Sequence, residues 1–250
     1  MIEAKLKDKV CIVTGATSGM GKAIATKFWE EGAKLILSGR NEERGLELSS
    51  SLKDSIFIGG DIRNIDYNEK LVATAISHFG TLDIVSLNAG ILGLGNVVNL
   101  SMEDWNNTIH TNLSAIFYLC KYAVPHLQAS KGNILINASI AAFKSFPNHP
   151  AYCASKAGSV ALMKQMAVEY GPEVRVNAIC PGPVDTPLLW DSAKAFSVPG
   201  KAVEDAAKAT LLKRLGTPED IAKLALFLVS EEASWITGTA MTIDGGIINS

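Results

Sequence analysis

Val10-Cys11-Ile12-Val13-Thr14-Gly15-Ala16-Thr17-Ser18-Gly19-Met20-Gly21 reads as a buried strand, a glycine turn and the start of a helix. Val10 to Val13 form an unbroken apolar run, as expected of a parallel strand covered on both faces. After Gly15, Gly19 and Gly21, the residues Ala23, Ile24, Ala25, Phe28 and Trp29 fall at roughly helical spacing. A glycine turn that opens a helix leaves backbone N–H groups free at the positive end of the helix dipole. That combination is an anion site, most often for a pyrophosphate. The spacing is G-x-x-x-G-x-G, neither G-x-G-x-x-G nor a P-loop, and glycines after a strand also occur simply as turns.

Working outward, strand and helix patterns alternate to the end of the chain. Strands are predicted at Lys34 to Ser38, Ser55 to Gly59, Leu82 to Leu87, Gly132 to Asn137, Val174 to Ile179 and Ala240 to Asp244. Helices are predicted over about 20–31, 41–52, 66–79, 102–110, 112–128, 150–170 and 218–230. A polar, proline-bearing excursion occupies about 181–213. Repeated βα units imply right-handed crossovers and an α/β fold, a three-layer, doubly wound, mostly parallel sheet with helices on both faces. No linker or repeat interrupts the pattern, so 1–250 reads as one domain. In such sheets ligands bind at the carboxyl ends of the strands.

The 250 residues suffice for one full core, and an apolar content of 48% excludes disorder. A net charge of −2 with no basic stripe gives no nucleic-acid signature. No apolar run reaches membrane-spanning length, and Met1-Ile2-Glu3-Ala4-Lys5 does not read as a signal peptide. Cys11, Cys120, Cys153 and Cys180 lack metal-ligand spacing. Cys11 and Cys180 read as core thiols in a reducing compartment, so a cytoplasmic location is expected.

The polar signatures follow strand ends. The second strand should end at the adenosine ribose, where an acid would accept from a 2′-hydroxyl. Ser38-Gly39-Arg40 stands there instead, and Arg40 could hold a 2′-phosphate through its planar fork or simply open the next helix in solvent. Asp61 could accept from an adenine amino group or cap a turn. The small residues of Asn88-Ala89-Gly90 would admit a close backbone approach. Tyr152 and Lys156, four apart, share one helix face, and Ser139 sits at a strand end 13 residues before the tyrosine. A free tyrosine has a pKa of about 10, and a nearby ammonium favours the phenolate. This makes Tyr152 a candidate general acid/base and Ser139 a group that fixes the substrate oxygen. By itself a Tyr-x-x-x-Lys pair is usually a surface pair.

Together these residues resemble the short-chain dehydrogenase/reductase family in its compact form, over essentially the whole chain. Thr14 to Gly21 match T-G-x-x-x-G-x-G, Asn88-Ala89-Gly90 match N-A-G, and Ser139, Tyr152 and Lys156 match S-x(12)-Y-x-x-x-K. Asn112 stands where the family has a catalytic asparagine, and Pro181 to Thr186 match P-G-x-x-x-T. The resemblance implies reversible hydride transfer between a nicotinamide dinucleotide and a carbonyl carbon, without a catalytic metal. It implies that Tyr152 exchanges the hydroxyl proton, Lys156 lowers its pKa and binds the nicotinamide ribose, and Ser139 orients the substrate oxygen. Asn112 would hold a relay water. Thr186 and the Val184 backbone would hold the carboxamide, Asp61 and Ile62 the adenine, and Asn88 the adenosine side. The expected cofactor shell is Gly15, Thr17, Ser18, Gly19, Met20, Gly21, Arg40, Asp61, Ile62, Asn88, Ala89, Gly90, Tyr152, Lys156, Pro181, Gly182, Val184 and Thr186. Gly39-Arg40 resembles the NADP type, whereas Ser18 stands where many NADP-preferring members carry a basic residue. NADP(H) is favoured and NAD(H) remains open. The family usually forms homotetramers or homodimers, through helices equivalent to 112–128 and 150–170.

The excursion at 183–213 is expected to cover the substrate, with Ile140, His149, Leu188, Leu189 and Trp190 as candidate contacts and Phe143 and Phe146 nearby. A medium-sized secondary alcohol or ketone is expected: a cyclic alcohol, sugar-derived polyol, steroid-like compound or 3-oxoacyl thioester. His78, His110 and His126 read as ordinary helix residues. Two other readings remain, a dinucleotide sensor without turnover and a lyase on the same fold. The intact Asn112, Ser139, Tyr152 and Lys156 argue against the first, and the intact glycines against the second.

Overall fold

The computed structural model describes residues 4–249; Met1 to Glu3, read above for a leader, lie outside the described residues. Seven strands form one all-parallel sheet: β1 Val10–Thr14, β2 Lys34–Gly39, β3 Ser55–Gly59, β4 Ile84–Leu87, β5 Asn133–Asn137, β6 Arg175–Pro181 and β7 Ala240–Ile243. Their order is β3-β2-β1-β4-β5-β6-β7. The chain therefore winds outward from β1 through β2 to β3, crosses back to β4, and winds outward on the other side. Val10 to Thr14 pair with Lys34 to Ser38 on one side, and Cys11 to Val13 pair with Ile84 to Ser86 on the other. The reversal leaves a crevice beyond the carboxyl ends of β1 and β4.

Alternation along β1 divides the core into two layers. Ile12 faces a core built with α3 Ile65–Phe79, α5 Ala115–Ser130 and α6 Pro150–Tyr170, including Leu71, Leu119 and Met163. Cys11 and Val13 face the opposite core, built with α1 Gly19–Glu30, α2 Glu42–Ser51 and α9 Pro218–Val229, including Ile24, Phe28 and Leu226. The predicted doubly wound architecture is the one observed.

Two stretches differ from the sequence reading. The helices predicted over 102–110 and 112–128 are one continuous helical run, α4 Met102–Ile109 leading through a π-helical stretch, His110–Ser114, into α5. Asn112 lies inside the π-helical stretch, where the widened turn rotates its side chain inward; wide turns of this kind gather at functional sites. The excursion after β6, read above only as polar and proline-bearing, holds two helices, α7 Pro187–Ala193 and α8 Pro199–Ala209. Each begins on a proline, which breaks a helix interior but is preorganised for the first helical position. Of the residues left open between core and surface, Trp235 is fully exposed and Ile236 packs against the second core.

The glycine turn is tightly packed. A Cβ on Gly21 would lie 2.2 Å from the Gly15 carbonyl oxygen, backbone against backbone. Gly21→Ala is therefore expected to cost about 1–3 kcal/mol, the scale of overpacking, or roughly 2–4 °C in Tm per kcal/mol for a chain this size. Thermal melts check the stability term, and a dinucleotide titration checks that the distorted turn binds more weakly.

Candidate active site

The turn after β1 and the turn after β4 are stitched together. The Thr14 hydroxyl oxygen accepts from the backbone N–H groups of Asn88 (3.0 Å) and Ala89 (3.2 Å). Gly15 takes φ +62°, and a Cβ there would lie 2.9 Å from the Ala89 nitrogen. Asn88 donates in turn to the Ser86 carbonyl (3.1 Å) and hydroxyl (2.9 Å). A cleft opens above this junction. It is lined by the Gly15–Gly21 turn, Gly39-Arg40, Asp61-Ile62 and Asn88-Ala89-Gly90, with Thr186 at its far end.

This cleft suits a dinucleotide. Ser18 precedes α1 in extended conformation without a side-chain cap, and the first turn of α1 holds no acid. By contrast, α2, α3, α4 and α9 are capped by Asn41, Asn64, Ser101 and Thr217. The N–H groups at the start of α1 are thus left for an anion, and the glycines let its oxygens come close. Gly39 keeps the backbone close to Thr17, where a Cβ would meet the threonine methyl at 2.6 Å. Arg40 is exposed and makes neither a hydrogen bond nor a salt bridge; its charge reaches Asp61 only at a distance. Asp61 is gripped by Arg63, whose Nε donates to both carboxylate oxygens (3.1 and 2.9 Å) and whose Nη2 donates at 2.6 Å. That grip is the main reason its carboxyl is held below the usual range.

A second, largely apolar cleft adjoins the first through Met20, Thr186 and Leu188, which line both. Its walls hold Ser139, Ile140, Tyr152, Pro181, Gly182 and Val184, with Leu189 of α7 above. Ser139 lies two residues beyond β5 and accepts from the Ala141 N–H (3.1 Å), which fixes its hydroxyl. The Tyr152 ring forms part of the cleft wall. Lys156, one turn further along α6, lies behind it and lines neither cleft: it is 5% exposed, donates to the Asn137 carbonyl (2.7 Å), and has its Nζ 5.6 Å from the Tyr152 ring centre. Asn112 is also behind the wall. Its Oδ1 accepts from Ile91 N–H (2.9 Å), and its Nδ2 donates to the Ile91 carbonyl and the Ser155 hydroxyl (both 3.0 Å). Ser155 passes the restraint on by donating to the Tyr152 carbonyl (2.8 Å).

The electrostatics correct one expectation. Tyr152 is not brought below its ordinary pKa in the protein alone. The surrounding protein excludes water and pushes it up to about 12, with the Ser139 hydroxyl pulling the other way. Burial likewise brings Lys156 down to about 8. Lys156 aims its ammonium at Asn137 and sits over the ring face, so it does not bond the phenol oxygen. Burial thus favours the neutral phenol of Tyr152.

One candidate substrate contact lies outside the cleft, and another lines it with its ring nitrogens engaged. Trp190 does not line the cleft. It is 46% exposed and donates to Asp185 (2.9 Å), because Leu189, Ser192 and Ala193 take the inward face of α7. His149 borders the cleft, but both ring nitrogens are already bonded, to the Pro147 carbonyl (2.6 Å) and the Ser192 hydroxyl (2.8 Å). Phe146 lines the cleft, whereas Phe143 is exposed outside it. Sequence reading missed Thr111, Val203 and Ile247, which reach the clefts only through folding, and Arg63, which grips Asp61.

A family model described as enoyl-(acyl carrier protein) reductase matches residues 15–248. The chain belongs to the short-chain dehydrogenase/reductase family. It is 35% identical to a 3beta-hydroxysteroid dehydrogenase of Mediterraneibacter gnavus, over 98% of this chain and 96% of that one. It is 33% identical to a 3-oxoacyl-[acyl-carrier-protein] reductase of Thermotoga maritima, over 98% and 99%. Its fold superposes on ligand-free aldohexose dehydrogenase of Thermoplasma acidophilum with a TM-score of 0.91 at 33% identity, covering 99% of this chain and 96% of that chain. As a family member it is an oxidoreductase that transfers hydride between a nicotinamide dinucleotide and an alcohol or ketone. No helix among the described residues is long and apolar enough to cross a membrane.

Lys156 generates a pH prediction. Its folded-state value of about 8 lies below the unfolded value of 10.5, so the unfolded chain binds more protons between the two. The burial cost of the ammonium, roughly 3 kcal/mol on the linkage scale, is present below pH 8 and fades as pH rises towards 10.5. In dinucleotide-free protein, the unfolding free energy of wild type relative to Lys156→Met should rise from pH 7.5 to pH 10 in denaturant titrations. A flat difference would show that Lys156 is not buried as an ammonium.

Proposed function

We propose that the protein interconverts an uncharged, largely apolar secondary alcohol and its ketone, favours NADP(H) over NAD(H), and uses Tyr152 as general acid/base. The supporting observation is the placement of Tyr152, beside Ser139, in the wall of an apolar cleft that opens directly onto the glycine-turn cleft. When bound, the dinucleotide supplies or removes the hydride. In the reducing direction Tyr152 gives its hydroxyl proton to the ketone oxygen, and Ser139 holds that oxygen by a second hydrogen bond. Lys156, an ammonium below about pH 8, holds the nicotinamide ribose and favours the tyrosinate left behind. Asn112 spends its side chain on Ile91 and Ser155, so its service to a relay water falls to its backbone.

On this reading Gly15, Thr17, Ser18, Gly19, Met20 and Gly21 hold the pyrophosphate side. Asp61, Ile62 and Asn88-Ala89-Gly90 hold the adenosine side. Thr186, Val184, Pro181 and Gly182 hold the carboxamide. The free guanidinium of Arg40 supports NADP(H), because a 2′-phosphate would give that charge a bidentate partner. Among the described residues no Asp, Glu, Lys or Arg lines the apolar cleft, which instead holds Phe146, Leu189, Phe196 and Val203. That composition favours a cyclic or steroid-like ketone over a polyol. We further propose a cytoplasmic homo-oligomer and a single domain covered by α7 and α8. The exposed Phe117 on α5 and Val168 on α6 support association through those helices.

Reduction of trans-1-decalone, an apolar bicyclic ketone, by NADPH tests the substrate class. Tyr152→Phe should cut that turnover by at least ~100-fold, the scale of general acid/base help, with NADPH affinity little changed; near-normal turnover would reject the assignment. Arg40→Ala should weaken NADPH more than NADH in titrations at fixed salt. Equal losses on both would show that Arg40 does not read the phosphate.

A further inference from the structure

The roof of the apolar cleft hangs on two polar ties. Among the described residues, the hydrogen bonds that join Pro187–Phe196 to a distant part of the chain come from Asn148 and His149 alone. Asn148 Nδ2 donates to the Ala195 carbonyl (3.4 Å), and His149 Nε2 bonds the Ser192 hydroxyl (2.8 Å). The second tie has a defined polarity. The Pro147 carbonyl can only accept, so Nδ1 of His149 is the donor in their 2.6 Å bond. In the neutral ring Nε2 is then the acceptor, and the Ser192 hydroxyl donates to it.

The anchoring side is rigid. Asn148 takes φ +60°, and its carbonyl accepts from Gly95 N–H (3.0 Å). His149 immediately precedes α6, is 3% exposed, and packs edge-on against the rings of Phe146 (6.5 Å between centres) and Tyr152 (6.4 Å). The side it holds is light. α7 spans seven residues, and within it Ala193 is the buried residue. A helix that short has little stability of its own and stays where tertiary contacts hold it.

We propose that His149 is a positioning residue, the latch that holds α7 over the apolar cleft through Ser192 and sets how tightly the substrate is enclosed against Tyr152. This rests on the substrate-cleft reading above. A side chain with both nitrogens engaged has no hydrogen bond left for a substrate, but it controls the helix that carries Leu188 and Leu189 to the cleft.

The test uses full-length Ser192→Ala, His149→Leu and the double variant. Hydrogen exchange of peptides spanning 187–196 is followed by mass spectrometry in NADPH-saturated protein. Each single variant should speed exchange there by about tenfold, the scale of one hydrogen bond, while sheet peptides and NADPH affinity stay as in wild type. In trans-1-decalone reduction most of the loss should fall on KM rather than kcat. The double variant should be no worse than either single one, because both break the same bond. Unchanged exchange over 187–196 in Ser192→Ala, a substitution mild enough to fold, would overturn the latch, as would losses that simply add. If wild type does not reduce trans-1-decalone, the substrate reading fails, and the exchange data still decide the latch.

Discussion

The Thr14 hydroxyl oxygen accepts from two successive backbone N–H groups, those of Asn88 and Ala89, and so closes the gap between β1 and β4 where the sheet reverses its winding. The rest of the site depends on that closure. It brings two strand-end turns close enough that Gly15 has no room for a side chain. It also places the uncapped start of α1 beside the Asn88-Ala89-Gly90 backbone. The same contact that completes the core thus shapes an anion cradle, since the backbone groups a nucleotide needs are those the packing leaves unsatisfied.

Behind the cleft wall a second set of restraints fixes the chemistry. Ile91, Asn112, Ser155 and the Tyr152 carbonyl form a continuous hydrogen-bonded path from the loop after β4 to the helix that carries the acid. The π-helical stretch His110–Ser114 allows this by turning Asn112 inward to meet Ile91 and Ser155 together. Dehydration then sets the proton inventory: it keeps the phenol protonated and makes the ammonium of Lys156 costly. Both shifts oppose charge separation inside the unliganded protein, so the pair is poised for a charged ligand rather than ionised in advance.

Much of this was legible in the chain. The apolar run Val10 to Val13 required a buried strand, and the alternation of patterns required a parallel sheet. Tyr152 and Lys156 share a helix face by spacing alone. Other features were hidden for identifiable reasons. The helices that begin at Pro187 and Pro199 were not predicted, because sequence does not show whether a proline sits first or midway in a helix. Trp190 looked like a pocket residue because it is large and apolar, yet one turn of α7 points it at Asp185. His149 looked like a substrate ligand because it lies three residues before Tyr152, and its partner Ser192 is 43 residues away.

The sequence by itself determined the order of strands and helices, the glycine turn and the helix face that Tyr152 and Lys156 share. Those rest on local rules: strand periodicity, helix spacing, and which residues tolerate a tight turn. Tertiary structure alone decided the protonation tendencies of Tyr152 and Lys156, the commitment of Asn112 to Ile91 and Ser155, and the anchoring of α7 by His149. Each depends on how much water is excluded and on which distant groups arrive within hydrogen-bond distance, and neither quantity is a property of neighbouring residues in the chain.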